Sequence, residues 1–395
     1  MKKIKYLLLL LIILLTGCSN YQELTDIAIT TAIAVDYSTE TNEYNLLTQV
    51  VNSVKKDDAS TSNEPSFLNF YSSASSLTEA MDKIVLESPR KLYTAQCQIL
   101  LLSKEVIENN LDELLDYFVR NPEMRGEMKV ILTPNKEDLK GITIQTLLDN
   151  LSSSNIVLSL EESEKKGYTT TVTLNDLLEM YLNPYKEIIL PTIYVEGNLT
   201  VADEEANKTS TVYKGTVKVG NMAIFKETTL VDYLSLDNQK YLNIIRGKLK
   251  NTNIKAEYNE GYLVYELYKI KTKIIPNVKD NTITLSFKGK AKTYETITNT
   301  NIENISKVKD MEKYLNNYLE NNIIDTFNSI RKKYNTDIFN FRDTYYKNNP
   351  RYFKKNYNSW YEDTFPKLKL KVKSNIELYE KGKLKEEIKY VKENR

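Results

Sequence analysis

The chain contains no histidine. That excludes Ser-His-Asp and Cys-His nucleophilic catalysis and every His-ligated metal site. Glycine is scarce, 11 residues in 395, and the closest pair is Gly215 and Gly220. Neither the dinucleotide fingerprint G-x-G-x-x-G nor the nucleophile elbow G-x-S-x-G fits that spacing. The P-loop also fails, because Gly220 is followed by Asn221 rather than Lys. Charge of one sign is missing too. The 54 Lys and Arg nearly cancel the 53 Asp and Glu, and removing Lys2, Lys3 and Lys5 with the leader leaves the rest slightly acidic. The strong overall field of a nucleic-acid binder is absent. Carboxylates are so numerous that paired acids carry no information about general acid-base work. There is one Trp against 29 Tyr, and the excess of Asn, Lys, Ile and Tyr reads as codon bias rather than chemistry.

What is present is an ordinary globular composition, 41% hydrophobic and 27% charged, on a length that suggests two or three domains. The amino terminus carries the most specific local signal. Lys2, Lys3 and Lys5 precede an unbroken apolar run from Tyr6 to Leu15, too short for a permanent span of about 20 residues but right for an export signal. Leu15-Thr16-Gly17-Cys18 follows and resembles the bacterial lipobox. Cys18 is the expected lipidation site, since cysteine is otherwise almost unused. Two or three acyl chains, at ~0.8 kcal/mol per buried CH₂, make a stable anchor. The second cysteine, Cys97, lies in an apolar run and is left without a disulfide partner. No histidine exists to activate it, so a buried strand position is expected.

Along the chain, Leu24–Val35 and Tyr44–Val54 read as strands joined by a turn at residues 38–41, and Lys55–Asn63 as a loop. Ser76-Leu77-Thr78-Glu79 is a capping box opening a helix. Gln96–Ser103 reads as a central strand, Glu105–Val119 as one or two helices stopped by Pro122, and Met128–Thr133 as another strand. Asn135–Tyr181 looks helical, with polar breaks at Ser152–Ser154 and Gly167–Thr171. A polar stretch from Asp203 to Ser210 sets a boundary near 197. Beyond it come alternating residues Thr211–Val219, a strand at Met222–Phe225 and a helix at Asp237–Ile245. Strands follow through Asn253–Ala291, including Tyr262–Ile275 and Thr282–Lys288. A long helix over Asn304–Tyr334 carries Val308, Met311, Leu315, Leu319, Ile323 and Phe327 on one face, and Leu368–Leu378 is a closing strand. The succession predicts an α+β protein. Its expected parts are a signal peptide over 1–17, an α/β domain over 18–197, a small middle unit over 198–247 and an α+β domain over 248–395.

Three stretches together resemble the spore germination C-subunit lipoproteins, the C subunits of germinant receptors. The first is Gly17-Cys18 with Glu23-Leu24-Thr25-Asp26-Ile27-Ala28 and Val35-Asp36. The second is Val219–Lys226 with Leu230-Val231, Tyr233-Leu234 and Arg246-Gly247-Lys248. The third is Thr336–Phe339 with Tyr346-Lys347, Pro350 and Trp360–Phe365. The similarity runs over nearly the whole chain after the leader. Departures are Ser19-Asn20-Tyr21 where the family has Trp, and Ala34 and Arg342 where it has glycine. The resemblance implies an elongated fold of three mixed domains with antiparallel-rich sheets, no enzymatic activity and no cofactor. It implies a lipid-anchored subunit on the outer face of the spore inner membrane, beside an A subunit with membrane helices and a permease-like B subunit, needed for germination in response to nutrients. The rival reading from composition and leader is a lipoprotein solute-binding protein feeding a transporter; an envelope hydrolase is disfavoured by the missing motifs.

The remaining candidates are packing or surface. The segment Tyr345–Tyr361 interleaves aromatic and basic residues, a pattern that suits RNA stacking in a cytosolic protein. In an exported near-neutral chain it reads first as core, then as a surface for subunits or anionic headgroups. Asp337 reads as a turn cap and Arg246-Gly247 as a helix stop. Ile224, Phe225, Tyr352 and Trp360 are the expected subunit-interface residues, with core packing as the competing explanation.

Overall fold

The computed structural model describes residues 26–52, 65–146, 148–199, 214–258, 260–297, 305–356 and 359–380. Cys18, the Lys55–Asn63 loop and the polar stretch 203–210 lie outside the described residues.

The first sheet is mixed. Strands β1 (Ile27–Ser38), β2 (Glu43–Val51) and β3 (Phe67–Ala74) run as an antiparallel meander, after which helix α1 (Leu77–Lys83) and the short β4 (Lys91–Tyr93) lead back to the sheet. Strand β5 (Ile99–Ser103) then pairs parallel with β1. Helices α2 (Lys104–Asn109) and α3 (Leu111–Arg120) carry the chain to β6 (Lys129–Thr133), again parallel to β5. The strand order is β3-β2-β1-β5-β6, with β4 on β1. Every residue of β5 is buried, as expected of a strand with parallel neighbours and both faces covered. Its alternate residues feed two cores. Leu100 and Leu102 join Val106, Leu114 and Phe118 of α2 and α3. Ile99 and Leu101 instead meet Ile156 and Leu160 of α4 (Ser152–Lys165).

The sequence places a helix break at Ser152–Ser154; the structure puts the first turn of α4 there. Ser152 and Ser153 are fully buried, and the Ser152 hydroxyl bonds the Ile144 carbonyl, so small hydroxyl side chains fill a tight contact that larger apolar ones could not. The break falls instead between a 3-10 helix at Lys136–Thr143 and α4. Helix α5 (Leu174–Leu182) follows, opened by a capping box of Thr173 and Asp176. Strand pairing then crosses the expected boundary at 197. Strand β7 (Ile189–Leu190) pairs with β10 (Met222–Lys226), and β8 (Ile193–Gly197) with β9 (Gly215–Val219). Strand β11 (Thr229–Leu234) completes the β11-β10-β7 sheet.

Helix α6 (Leu236–Ile245) ends in a Schellman turn: Gly247 N–H donates to Ile244 O and Lys248 N–H to Asn243 O. Gly247 has φ +68, a conformation glycine adopts without a Cβ penalty. The last sheet has the order β12-β13-β14-β15, from Thr252–Tyr258, Gly261–Asn277, Thr282–Ile297 and Lys369–Glu380. Helix α7 (Ile305–Tyr334) lies on one face with Met311, Leu315, Leu319, Ile323 and Phe327 buried against it. Short helices α8 (Phe341–Asn348) and α9 (Pro350–Asn356) link α7 to a π-turn at Trp360–Thr364 and then β15. The fold is α+β with several sheets, mostly antiparallel. The strands the sequence did not signal, β3, β4, β7, β8 and β11, are short or largely half-exposed.

Candidate functional site

The signature stretches from the middle and the end of the chain meet residues of the amino-terminal half at one buried joint. Its hub is Asp337, 1% exposed and three residues past the end of α7. Its Oδ1 accepts from the backbone N–H groups of Phe339 and Phe341, both at 3.2 Å, and Oδ2 from that of Arg342 at 2.5 Å. The N–H groups of Phe341 and Arg342 are otherwise orphaned donors in the first turn of α8, and that of Phe339 belongs to the turn before it, so Asp337 ties the turn to the helix start, as its position before Ile338-Phe339 implies. The left-handed residue of the turn is Asn340, φ +64. The positive φ of the turn thus falls on Asn340 and leaves position 342 open to a side chain, here Arg342.

Arg342 uses that position. Its guanidinium lies over the rings of Tyr361 at 5.2 Å and Tyr185 at 5.9 Å, a favourable cation-π arrangement. The Tyr361 hydroxyl donates to Glu187 Oε1 and accepts from the Asp337 backbone N–H at 3.4 Å. Glu187, itself buried, accepts through Oε2 from the N–H of Glu227 at 3.1 Å, in the β10–β11 turn. Desolvation and the neighbouring carboxylates of Glu187 and Asp337 raise the Tyr361 phenol well above its ordinary range. It stays a neutral donor.

Arg246, the residue that ends α6, brings a cation toward this joint. Burial pulls its guanidinium down to about 10, opposed by attraction to Asp337 and Asp176. Its Nε and Nη1 are buried with no hydrogen-bond partner among the described residues. Asp337 is pushed up to about 7 by the same desolvation, against the pull of its three backbone donors. Each group therefore carries a desolvation cost that its surroundings offset only in part.

Around the joint lies an aromatic layer. Trp360 stacks on Phe365 at 6.0 Å and meets Tyr345 edge-on at 5.3 Å and Phe353 at 5.9 Å. Tyr185 reaches from the amino-terminal half to Tyr346 at 4.3 Å and Phe353 at 5.1 Å, and Asn183 Nδ2 donates to Asp343 Oδ1 at 3.2 Å.

The residues expected at a subunit interface separate here. Ile224 and Phe225 are fully buried and Trp360 is 2% exposed, whereas Tyr352 is 41% exposed. For the first three the core explanation holds: β10 lies between β7 and β11, and Trp360 is enclosed by its ring neighbours. Cys97 is buried as expected, but it follows a 3-10 turn two residues before β5 rather than lying in the strand. Its thiol is pushed up to about 12 by burial, so it is no nucleophile at neutral pH. Glu187, Tyr185 and Arg342 were not legible as site residues; the only hint was the pair of prolines, Pro184 and Pro191, bracketing the first two.

Fold and joint together define a multi-sheet α+β protein whose amino- and carboxyl-terminal halves are locked by buried charge and aromatic contacts. Comparison with known proteins matches two consecutive parts of the chain. Residues 20–195 match the spore germination protein N-terminal domain, and residues 220–382 match the B3/GerAC-like C-terminal domain of spore germination proteins. The chain belongs to this GerAC-like spore germination family. It is similar to spore germination protein KC of Bacillus subtilis (strain 168), 23% identical over 391 residues and covering 95% of each chain. It is also similar to spore germination protein B3 of the same organism, 21% identical and covering 89% of this chain and 91% of that one. The crystal structure of the GerBC protein shares the fold, with a TM-score of 0.50 at 18% identity over 88% of this chain and 96% of that chain. Among the described residues no helix is long and apolar enough to cross a membrane.

Proposed function

We propose that this chain is the lipid-anchored C subunit of a nutrient germinant receptor. Cys18 holds it on the outer face of the spore inner membrane, where it supports germination beside membrane-embedded A and B subunits without catalysing a reaction. The observation that carries the reading is the match of both halves, in order, to the two domains of spore germination proteins. The Lys-rich, apolar leader ending in Leu-Thr-Gly-Cys supports the anchor. The joint supports a structural role, because its carboxylates and phenol are engaged in bonds that join segments of the fold. Tyr352 is the one expected interface residue whose side chain a partner can reach.

Deleting the gene and scoring nutrient-triggered germination tests the role. Loss of the response with normal sporulation is expected, and an unchanged response refutes it. The anchor is tested by Cys18→Ala with metabolic lipid labelling: the label and the membrane fraction should both be lost. Calorimetry against amino acids and sugars separates the rival, since tight binding by this chain alone would make it a solute-binding protein.

A further inference from the structure

The face of the last sheet opposite α7 carries rows of exposed lysines, and we infer that it docks on an anionic lipid bilayer. Register and burial define it. On β13 the outward residues Lys271, Lys273 and Ile275 lie opposite Lys288, Ser286 and Thr284 of β14. Across the next pairing, Thr284, Ser286 and Lys288 lie opposite Lys371, Lys373 and Asn375 of β15. One row across three strands thus reads Lys273-Ser286-Lys373, with Lys271-Lys288-Asn375 beside it. The lysines of these rows are exposed, while the alternate residues Leu285, Phe287 and Ile376 are buried against the helix layer. No acidic side chain interrupts these rows. Glu266 and Glu377 come only farther along the sheet, opposite Lys292 and Lys290, and Asp280 lies in the β13–β14 turn bonded to Asn277.

The bland explanation is that lysines blunt an edge strand against aggregation. It accounts for Lys369, Lys371 and Lys373, because β15 is the sheet edge. It extends to Lys271 and Lys273, because β12 pairs with β13 only as far as Leu267 and leaves this stretch of β13 unpaired on that side, but not to Lys288, which β13 and β15 flank on both sides. Lys271 faces Lys288 directly, and like charges directly opposite each other weaken a sheet. A near-neutral chain that gathers this charge on one face has an anion to meet there.

The chemistry favours headgroups over a protein. Protein interfaces enrich Arg and lose Lys, and Arg forks suit fixed carboxylates. This face is all lysine, with Ser and Thr hydroxyls between, and Ile275 is 43% exposed at its border. Lysine acts as a mobile point charge suited to phosphates that diffuse in a plane. Juxtamembrane basic clusters bind anionic leaflets in this way, each lysine contributing roughly a fivefold gain near the surface. The inference rests on the proposed anchor for its setting. The acyl chains hold the chain at the bilayer, and the lysine face would set which side turns down.

The test uses the full chain carrying Cys18→Ala, so that no acyl anchor contributes, in flotation with vesicles of phosphatidylcholine alone or with phosphatidylglycerol added. Binding to the anionic vesicles should exceed that to neutral ones and vanish in 0.5 M salt, where charges are screened within about 4 Å. The variant K271Q/K273Q/K371Q/K373Q should lose the anionic preference at least tenfold, while K309Q/K313Q/K332Q on α7 should keep it. Equal binding to both vesicles, or an unchanged preference in the four-fold variant, overturns the inference. So does binding to polyglutamate with none to vesicles, which would make the partner an acidic protein. Lipid labelling at Cys18 is scored separately, so failure of the anchor and failure of the docking face give different results.

Discussion

Trp360 is the only tryptophan in the chain, and it sits where the aromatic layer closes over the joint. It is 2% exposed and packed between Phe365, Tyr345 and Phe353. Truncating Trp360 to Ala removes most of a side chain that buries on the order of 200 Å², or roughly 5 kcal/mol at 25 cal/mol per Å². Because neighbours relax only in part, measured Trp→Ala costs fall at about 3–5 kcal/mol. The same site contains a partial offset. Trp360 Nε1 is buried without a hydrogen-bond partner among the described residues, so Trp360→Phe deletes an unsatisfied donor and should cost about 1 kcal/mol or less. Urea titration followed by far-ultraviolet circular dichroism measures both, since the fluorescent probe is lost in the variants. In the wild type, fluorescence of Trp360 should be blue-shifted and should move to the red when the joint opens. Tyr352→Ala, on an exposed side chain, should change stability by under about 0.5 kcal/mol. If Trp360→Ala melts like wild type while A and B subunits disappear from a pull-down, Trp360 is an interface anchor and the core argument is wrong.

Two further outcomes follow from the joint. Tyr361→Phe leaves the buried Glu187 Oε1 without its donor and should cost about 1–3 kcal/mol. In the double variant with Glu187→Gln the two costs should add to less than their sum, which a double-mutant cycle in urea would read; full additivity refutes the bond. Asp337 has a folded pKa of about 7 against ~3.9 unfolded, so the native state holds more protons between those values. Its stabilising contribution is therefore complete below about pH 4 and is lost as pH rises through 7. Asp337→Asn, which keeps an acceptor for the cap but cannot titrate, should flatten the decline in urea midpoint between pH 4.5 and 7.5. An identical pH slope in the two proteins would show that Asp337 is already ionised throughout.

The sequence by itself determined whatever a few neighbouring residues control. Ser76 caps α1 by accepting from Glu79 N–H, although the Glu79 carboxylate turns to Ser75 rather than closing the box. Arg246-Gly247 stops α6, Asp337 caps α8, and the apolar stripe of α7 points at the core. For the caps the partners lie within a turn or two, and for α7 the helical period alone puts the apolar residues on one face, so spacing sets the geometry. Tertiary structure decided the rest. Strands β4 and β7 are too short to show a period of two, and exist because β1 and β10 offer ladders to pair with. The buried serines of α4 read as a break because their burial depends on the sheet above them. Glu187 and Tyr361, or Lys271 and Lys371, are distant along the chain, and nothing local marks them as neighbours. Only the register of β13, β14 and β15 turns scattered lysines into one charged face. Long-range pairing of this kind is set by packing of whole layers, and no window of sequence contains it.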